Sequence, residues 1–439
     1  MTTQTARGAR SDRNLANQEL AIRGGPMAVQ IDDRTRNSMF HWPIVTREDE
    51  RAVVEVLRAG SMSATDITRK FEEEFAAYLG TRYSLGHCNG TMALLVAMWA
   101  AGLGRGDELI CPSITYWASA LQAFSLGATV AFADIDPQTL CIDPNDIERH
   151  IGPKTKAIMV VHYCGHPADM DAIMTIARRH NLKVIEDVSH AHGALYKGRM
   201  TGTLGDVSAM SMMAGKSLAV GEAGMLATDN REILERAMAF AHYERHQDLT
   251  LPQLKALAGL PLGGVKGRMN QTCSAMGRVQ LRHYGDRIEQ IQASMNLFWD
   301  LLEGTPGLRP HRPAKGSGCT MGGWYNPVGH YLPEELGGLP VGRFIQAVNA
   351  EGGRTGRSVN FPLHSHPVLH DADVYGDGKP TRLAFAERDL RQGPGSLPVS
   401  EAIAARSFGI PWFKQYRPRI IKQFANAYRK VALQADKLK

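Results

Sequence analysis

Two carboxylates, Glu186 and Asp187, end the apolar run that begins at Lys183, and twenty-nine residues after Asp187 comes Lys216, in a loop crowded with Gly and Ser. A lysine amine condenses with an aldehyde, and a carboxylate beside a pyridine nitrogen keeps that ring protonated and makes it an electron sink. The pair is therefore what a pyridoxal-5'-phosphate (PLP) enzyme requires. Far upstream, Asn89-Gly90-Thr91 stands where a helix opens. A Gly-Thr pair there offers backbone N–H groups, a hydroxyl and the positive end of the helix dipole to a phosphate. Ser211, five residues before Lys216, adds a second hydroxyl. Taken singly, an Asp at a strand end is most often a turn or cap residue and a Lys in a polar loop a solvated charge. Their order and surroundings raise the chemical reading above the ordinary one.

Such residues need a sheet edge to stand on. Short apolar or β-branched runs at Leu109–Cys111, Thr129–Ala133, Ala157–Val161 and Lys183–Ile185 alternate with helix-like stretches. This predicts an α/β fold with a mostly parallel sheet sandwiched by helices, and ligands bound beyond the carboxyl ends of the strands. Residues 1–38 carry many polar side chains and little apolar periodicity, so they read as an N-terminal arm rather than core. A large domain is expected over 39–290. A helical pattern from about Gln271 to Leu302 leads into a smaller C-terminal α+β domain, 291–439, which ends in a basic amphipathic helix from about Pro418.

Composition excludes several classes. The chain has 439 residues, a net charge of +6 and no dense Lys/Arg block interleaved with aromatics, which argues against nucleic acid. Its six cysteines are scattered with no C-x-x-C pair, so neither a disulfide framework nor a zinc site is expected. No apolar run is long enough to cross a bilayer and no secretory signal is visible, so a cytoplasmic, membrane-free protein is expected.

The motifs resemble those of the DegT-type sugar aminotransferases, within PLP fold type I (aspartate-aminotransferase-like), from about Leu20 to the C-terminus. HCNGTMAL (87–94) is similar to the family's phosphate-binding segment and GDELICPSITYWASA (106–120) to its strand and aromatic turn. Residues 184–199 look like its Asp segment, and 206–225 like its lysine loop. FPLHSHPV (361–368) and SLPVSEAI (396–403) are also similar. The resemblance implies PLP as cofactor, Lys216 as Schiff-base lysine and general base, Asp187 as partner of the pyridine nitrogen, and His190 as neighbour of the ring. It assigns the phosphate to Gly90, Thr91 and Ser211, a ring-stacking aromatic to Tyr116 with Trp117 as competitor, and substrate contacts to His242, Arg245 and His364. The family's cross-subunit Asn is replaced by Lys266 in GVKGRM (264–269), so a homodimer with shared sites implies a cation at that contact. The implied reaction moves an amino group from Glu or Gln to a keto sugar, phosphorylated or nucleotide-linked, or a keto-cyclitol, in amino-sugar or antibiotic-type biosynthesis. The same fold hosts PLP- or pyridoxamine-dependent sugar dehydratases, which replace the lysine, and a non-catalytic PLP-binding regulator is a third reading.

Other motifs carry less. Gly215-Lys216-Ser217 ends like a P-loop, but position 210 is Met where that loop needs Gly. GLGRGD (102–107) precedes a strand rather than following one, unlike a dinucleotide fingerprint. His364 and His366 read as lying on an extended segment, where side chains alternate in direction, and have no Cys or carboxylate cluster beside them in sequence, so no metal is expected.

Overall fold

The computed structural model describes residues 14–357 and 359–439; the first thirteen residues of the expected arm lie outside it. Seven strands form the central sheet, and they are β1 (Tyr83–His87), β2 (Glu108–Pro112), β3 (Thr129–Ala133), β4 (Thr155–Val161), β5 (Lys183–Asp187), β8 (Val207–Ser211) and β9 (Gly224–Thr228). A two-residue hairpin, β6 (Leu195–Tyr196) with β7 (Arg199–Met200), stands between β5 and β8. The order across the sheet is β1-β9-β8-β5-β4-β2-β3. β9 runs antiparallel to β1 and β8, and the remaining pairs are parallel. Helices cover both faces of the parallel part, which is why β2 to β5 read as nearly continuous apolar runs instead of alternating ones.

The edge strand β3 is not left open. Arg382 donates to the carbonyl of Val130 at 3.0 Å and Gln392 Nε2 to that of Phe132 at 2.6 Å, so the stretch around 381–392 closes the sheet's hydrogen-bonding edge. That stretch belongs by sequence to the C-terminal third, yet Leu369, Leu390 and Leu397 pack into the core of the large sheet.

A second core is built on the antiparallel strands β10 (Leu308–Pro310), β11 (Val328–Tyr331) and β12 (Ser407–Gly409), with helices Val341–Ala350 and Pro418–Ala432. Residues read from composition as an arm enter this core: Leu20 and Val29 are buried in it. The buried Glu351 carboxylate fixes them, accepting from the backbone N–H of Ala21 at 2.8 Å and of Ala28 at 3.0 Å while pairing with Lys430 at 2.9 Å. The single helix expected over 271–302 is two, Gln271–Arg282 and Tyr284–Leu301, parted at His283. No helix among the described residues is long and apolar enough to cross a membrane.

Candidate active site

The carboxyl ends of β1, β2, β4, β5 and β8 meet at one edge of the sheet, and strand alternation decides which side chains reach it. Glu186 and Asp187 point to opposite faces. Glu186 is swallowed by the protein: it accepts from His162 Nε2 at 2.9 Å and from the backbone N–H groups of Gly202, Leu204 and Gly205 at 2.8, 2.7 and 2.7 Å. Burial opposes its ionisation, but these donors outweigh it and hold the carboxyl below its usual range. Asp187 instead lines the cavity. Its carboxylate is oriented by Ser119 Oγ at 2.7 Å and the Ser189 N–H at 3.0 Å.

Beyond Ser211 the chain folds back on itself before entering β9. Ala214 donates to Gly221 and Val220 to Met212, both at 2.8 Å, and the N–H of Lys216 is held by the Met213 carbonyl at 2.8 Å. This turn drives Lys216 inward until it is buried, with Nζ 4.0 Å from the centroid of the Tyr325 ring. Burial lowers its pKa to about 8, against the opposing pull of Asp187 and the Cys164 thiol. His190 packs nearby, its ring 4.7 Å from Tyr325 and 5.4 Å from Tyr163. Burial, then the Lys216 charge, holds it neutral, and its Nδ1 accepts the Cys164 N–H at 3.3 Å, which leaves the proton on Nε2.

The third component is the helix Gly90–Ala100. Asn89 caps it by accepting the Met92 N–H at 2.8 Å. The remaining first-turn N–H groups have no acceptor within the helix. Gly90 is demanded by packing, since a Cβ there would stand 2.5 Å from the Cβ of Ser211. Gly224 meets the same limit, its Cβ falling 2.3 Å from the Asn89 carbonyl oxygen. Helix start, lysine loop and β9 are thus pressed into one corner. Together with Asp187 and Lys216 they line a cavity of about 530 Å³. The donor set fits PLP: a helix N-terminus and a hydroxyl for its phosphate, a carboxylate for its ring nitrogen, and an amine of lowered pKa for its aldehyde.

Of the residues singled out from sequence, Gly90, Thr91, Tyr116, Asp187, His190, Ser211 and Lys216 all line this cavity. Tyr116 is half exposed, and Trp117, 5.0 Å away ring to ring, is 42% exposed and neither lines the cavity nor packs in the core. The other four lie elsewhere in the single chain. His242 is buried against His87, ring centroids 4.9 Å apart. Arg245 is engaged by Glu72 at 2.6 Å and Asp248 at 3.3 Å. His364 is buried, not extended but in the short turn Leu363–Ser365, with Nδ1 2.7 Å from Ser113 Oγ and Nε2 3.2 Å from Glu401. Lys266 is exposed, its Nζ 6.0 Å from the Tyr243 ring centroid. Residues not foreseen include Ser119, Ser189, Tyr325, Arg357 and Asn360. The GGWYNP run (322–327) was a visible signal for Tyr325. Ser119 and Ser189 lie inside the motif segments 106–120 and 184–199, but Arg357 and Asn360 had no signal, since their place depends on chain segments far apart in sequence.

Comparison with known proteins agrees with this geometry. The sequence pattern of the DegT/DnrJ/EryC1/StrS aminotransferase family matches residues 43–427. The spore coat polysaccharide biosynthesis protein SpsC of Bacillus subtilis is 34% identical over 379 residues, covering 84% of this chain and 94% of its own. The L-glutamine:2-deoxy-scyllo-inosose aminotransferase of Streptoalloteichus tenebrarius is 32% identical, covering 83% and 87%. Among solved structures, an aminotransferase from Psychrobacter cryohalolentis superposes with a TM-score of 0.76 at 28% identity, over 89% of this chain and 97% of that one. DesI, solved in the presence of its TDP-sugar product, superposes with a TM-score of 0.75 at 26% identity, over 95% and 97%.

Proposed function

The chain belongs to the DegT/DnrJ/EryC1/StrS aminotransferase family, and from that premise we propose that it is a PLP-dependent transaminase moving nitrogen from Gln or Glu to a keto-cyclitol or keto sugar in amino-sugar or antibiotic-type biosynthesis. The observation that carries the reading is Lys216: a buried amine with a pKa of about 8, in one cavity with an oriented carboxylate and a helix N-terminus.

When bound, PLP supplies the electron sink that acidifies the donor's Cα–H. The protein's share is positional and acid–base. Gly90, Thr91 and Ser211 would hold the phosphate, and Asp187, kept in place by Ser119 and Ser189, would accept from the ring nitrogen. Lys216 Nζ takes the proton from the donor's Cα and holds it for return. With its pKa near 8 a useful fraction is unprotonated at neutral pH, which an ordinary lysine would not offer. His190, neutral, would give the ring a flat neighbour without adding a competing charge.

Arg357 lines the same cavity and has no ion pair among the described residues. It is suited to the donor's α-carboxylate, where a guanidinium fork binds two oxygens at once. The L-glutamine:2-deoxy-scyllo-inosose aminotransferase among the relatives supports glutamine as donor and a cyclitol as acceptor, and GDP-perosamine synthase of Escherichia coli O157:H7, 36% identical over 263 residues, supports the nucleotide-sugar alternative. The active unit we propose is a homodimer, with Lys266, His242 and Arg245 acting near the partner's cavity.

The test is reduction with borohydride after loading with PLP, which should fix cofactor to one peptide containing Lys216. Bleaching of the bound chromophore by Gln or Glu should follow, with recovery on adding keto-cyclitols or nucleotide-linked keto sugars. Label on another lysine would sink the assignment, and label on Lys216 without any bleaching would favour a non-catalytic role.

A further inference from the structure

Two tryptophans from outside the large sheet reach the catalytic lysine from behind. Trp42 donates its indole N–H to the carbonyl oxygen of Lys216 at 2.8 Å, across 174 positions of sequence. Its ring lies 5.2 Å from that of Trp412. Trp412 in turn donates to the Gly323 carbonyl at 3.0 Å and stands edge-on to Tyr325, centroids 6.0 Å apart. Tyr325 is the ring under the Lys216 ammonium, 4.0 Å away. The two indoles are held by one cation: Lys414 Nζ lies 4.5 Å from the Trp412 ring and 5.3 Å from the Trp42 ring while donating to the Phe40 carbonyl at 3.1 Å.

Both ends of the lysine are therefore referred to the same pair of rings. The loop that carries Lys216 is bracketed by Gly215 and Gly221, and its cross-loop backbone bonds lie at 212–214 and 220–221. Nothing in those bonds fixes the plane of the peptide that follows Lys216. The Trp42 N–H does, and that plane sets the direction of the Cα–Cβ bond. At the far end Tyr325, steadied by Trp412, sets how deep Nζ sits. A lysine has four rotatable bonds and about 2 kcal/mol of rotamer entropy, so fixing both ends is an efficient way to keep its amine in register.

We propose that Trp42 and Trp412, clamped by Lys414, are positioning residues that set the depth and aim of the Lys216 amine, so that residues packed on the second core tune the reacting group of the large sheet. The proposal rests on Lys216 being the reacting lysine.

The experiment follows the labelling of Lys216 by an amine-acylating reagent across pH, read by peptide mass spectrometry on the full-length chain stripped of cofactor. The wild type should show a midpoint near 8. Trp42→Phe keeps a ring but loses the donor, and frees the amine toward water, so its midpoint should rise by about one unit toward the ordinary lysine value of about 10.4. In the loaded enzyme kcat should fall about tenfold, with KM for the amino donor unchanged. Trp412→Phe should move the midpoint in the same direction by less, and Lys414→Arg should keep the wild-type midpoint. A wild-type midpoint in both tryptophan variants overturns the proposal, and so does a lowered melting temperature with an unmoved midpoint, which would make the rings packing alone. Because this midpoint is read without cofactor, a borohydride label that misses Lys216 would defeat the proposed function on separate evidence.

Discussion

Two parts of the molecule hold polar groups in different states of completion. At the edge formed by β5, β8 and the lysine loop, Asp187 and Glu186 have every oxygen engaged, and the Lys216 backbone is bonded on both sides. Around residues 242–262 the picture reverses. Both carboxylate oxygens of Glu244 are buried without a hydrogen-bond partner among the described residues, as are Nε2 of His87 and of His246, although His242 Nδ1 lies 3.5 Å from Glu244. Leu260 nearby is 77% exposed. A buried unsatisfied polar group costs about 1–3 kcal/mol. The first region leaves one such atom, Nε2 of His192 beside Ser217, without a partner among the described residues. The second has atoms that only water or groups from outside the described residues can satisfy, which is the condition a shared site between two copies would meet.

The comparison can be broken first at its more complete side. Lys216→Ala should reduce transamination by at least about 10⁴-fold while leaving the fold intact by circular dichroism. Asp187→Asn keeps the bond from the Ser189 N–H, with Ser119 Oγ turned to accept from the new amide, but removes the charge, so the half-reaction should slow by about 10²–10³-fold with PLP still bound. Wild-type rates in that variant would mean another group serves the ring, and Glu186, already saturated with donors, is excluded from that part.

Smaller effects probe the cavity wall and the unfinished side. Arg357→Gln should raise KM for the amino donor about ten- to a hundredfold with kcat little changed, as loss of a charge-assisted contact requires. Lys266→Ala should weaken PLP retention by only a few-fold, as for one exposed charged contact. Mixed with Lys216→Ala chains, it should recover the wild-type PLP affinity at the one heterodimer site that joins an intact Lys216 to an intact Lys266. No recovery despite proven subunit exchange would detach the unfinished region from catalysis. The smallest effect is on stability. The Lys216 pKa is depressed in the folded chain, so between about pH 8 and pH 10.4 the unfolded state binds more protons and the cofactor-free protein should gain stability as pH rises. That gain is lost again as pH falls through 8, and Lys216→Met should remove this component when melting is compared across the window.

Local patterns were legible where a short stretch decides its own structure. Strand β3 occupies Thr129–Ala133, the terminal helix begins at Pro418, and Asn89 caps the helix that carries Gly90 and Thr91. The break at His283 was hidden because no Pro interrupts the pattern and Gly285, two residues on, reads no differently from Gly277 inside the preceding helix; Arg287 reaches the Ile44 carbonyl from beyond the break. The polar stretch before residue 39 gave no core signal because Leu20 and Val29 sit in runs of only three hydrophobics, 20–22 and 27–29, too short to show a period. They are buried only because the C-terminal helix and Glu351 come to meet them. His364, expected at the substrate, has its ring nitrogens engaged by Ser113 and Glu401, partners that no local pattern announced.

The sequence by itself determined the alternation of strands and helices, the carboxylate at the end of β5, the lysine after β8 and the capped Gly-Thr helix start. Each of these depends on neighbours within about one turn or one strand. Only the tertiary structure decided which of two adjacent carboxylates faces the cavity, because that depends on the register of β5 against β4 and β8. It alone brought Tyr325, Arg357 and the Trp42–Trp412 pair to the lysine. It alone lowered the amine's pKa, since desolvation is a property of everything packed around a group and not of the residues beside it in the chain.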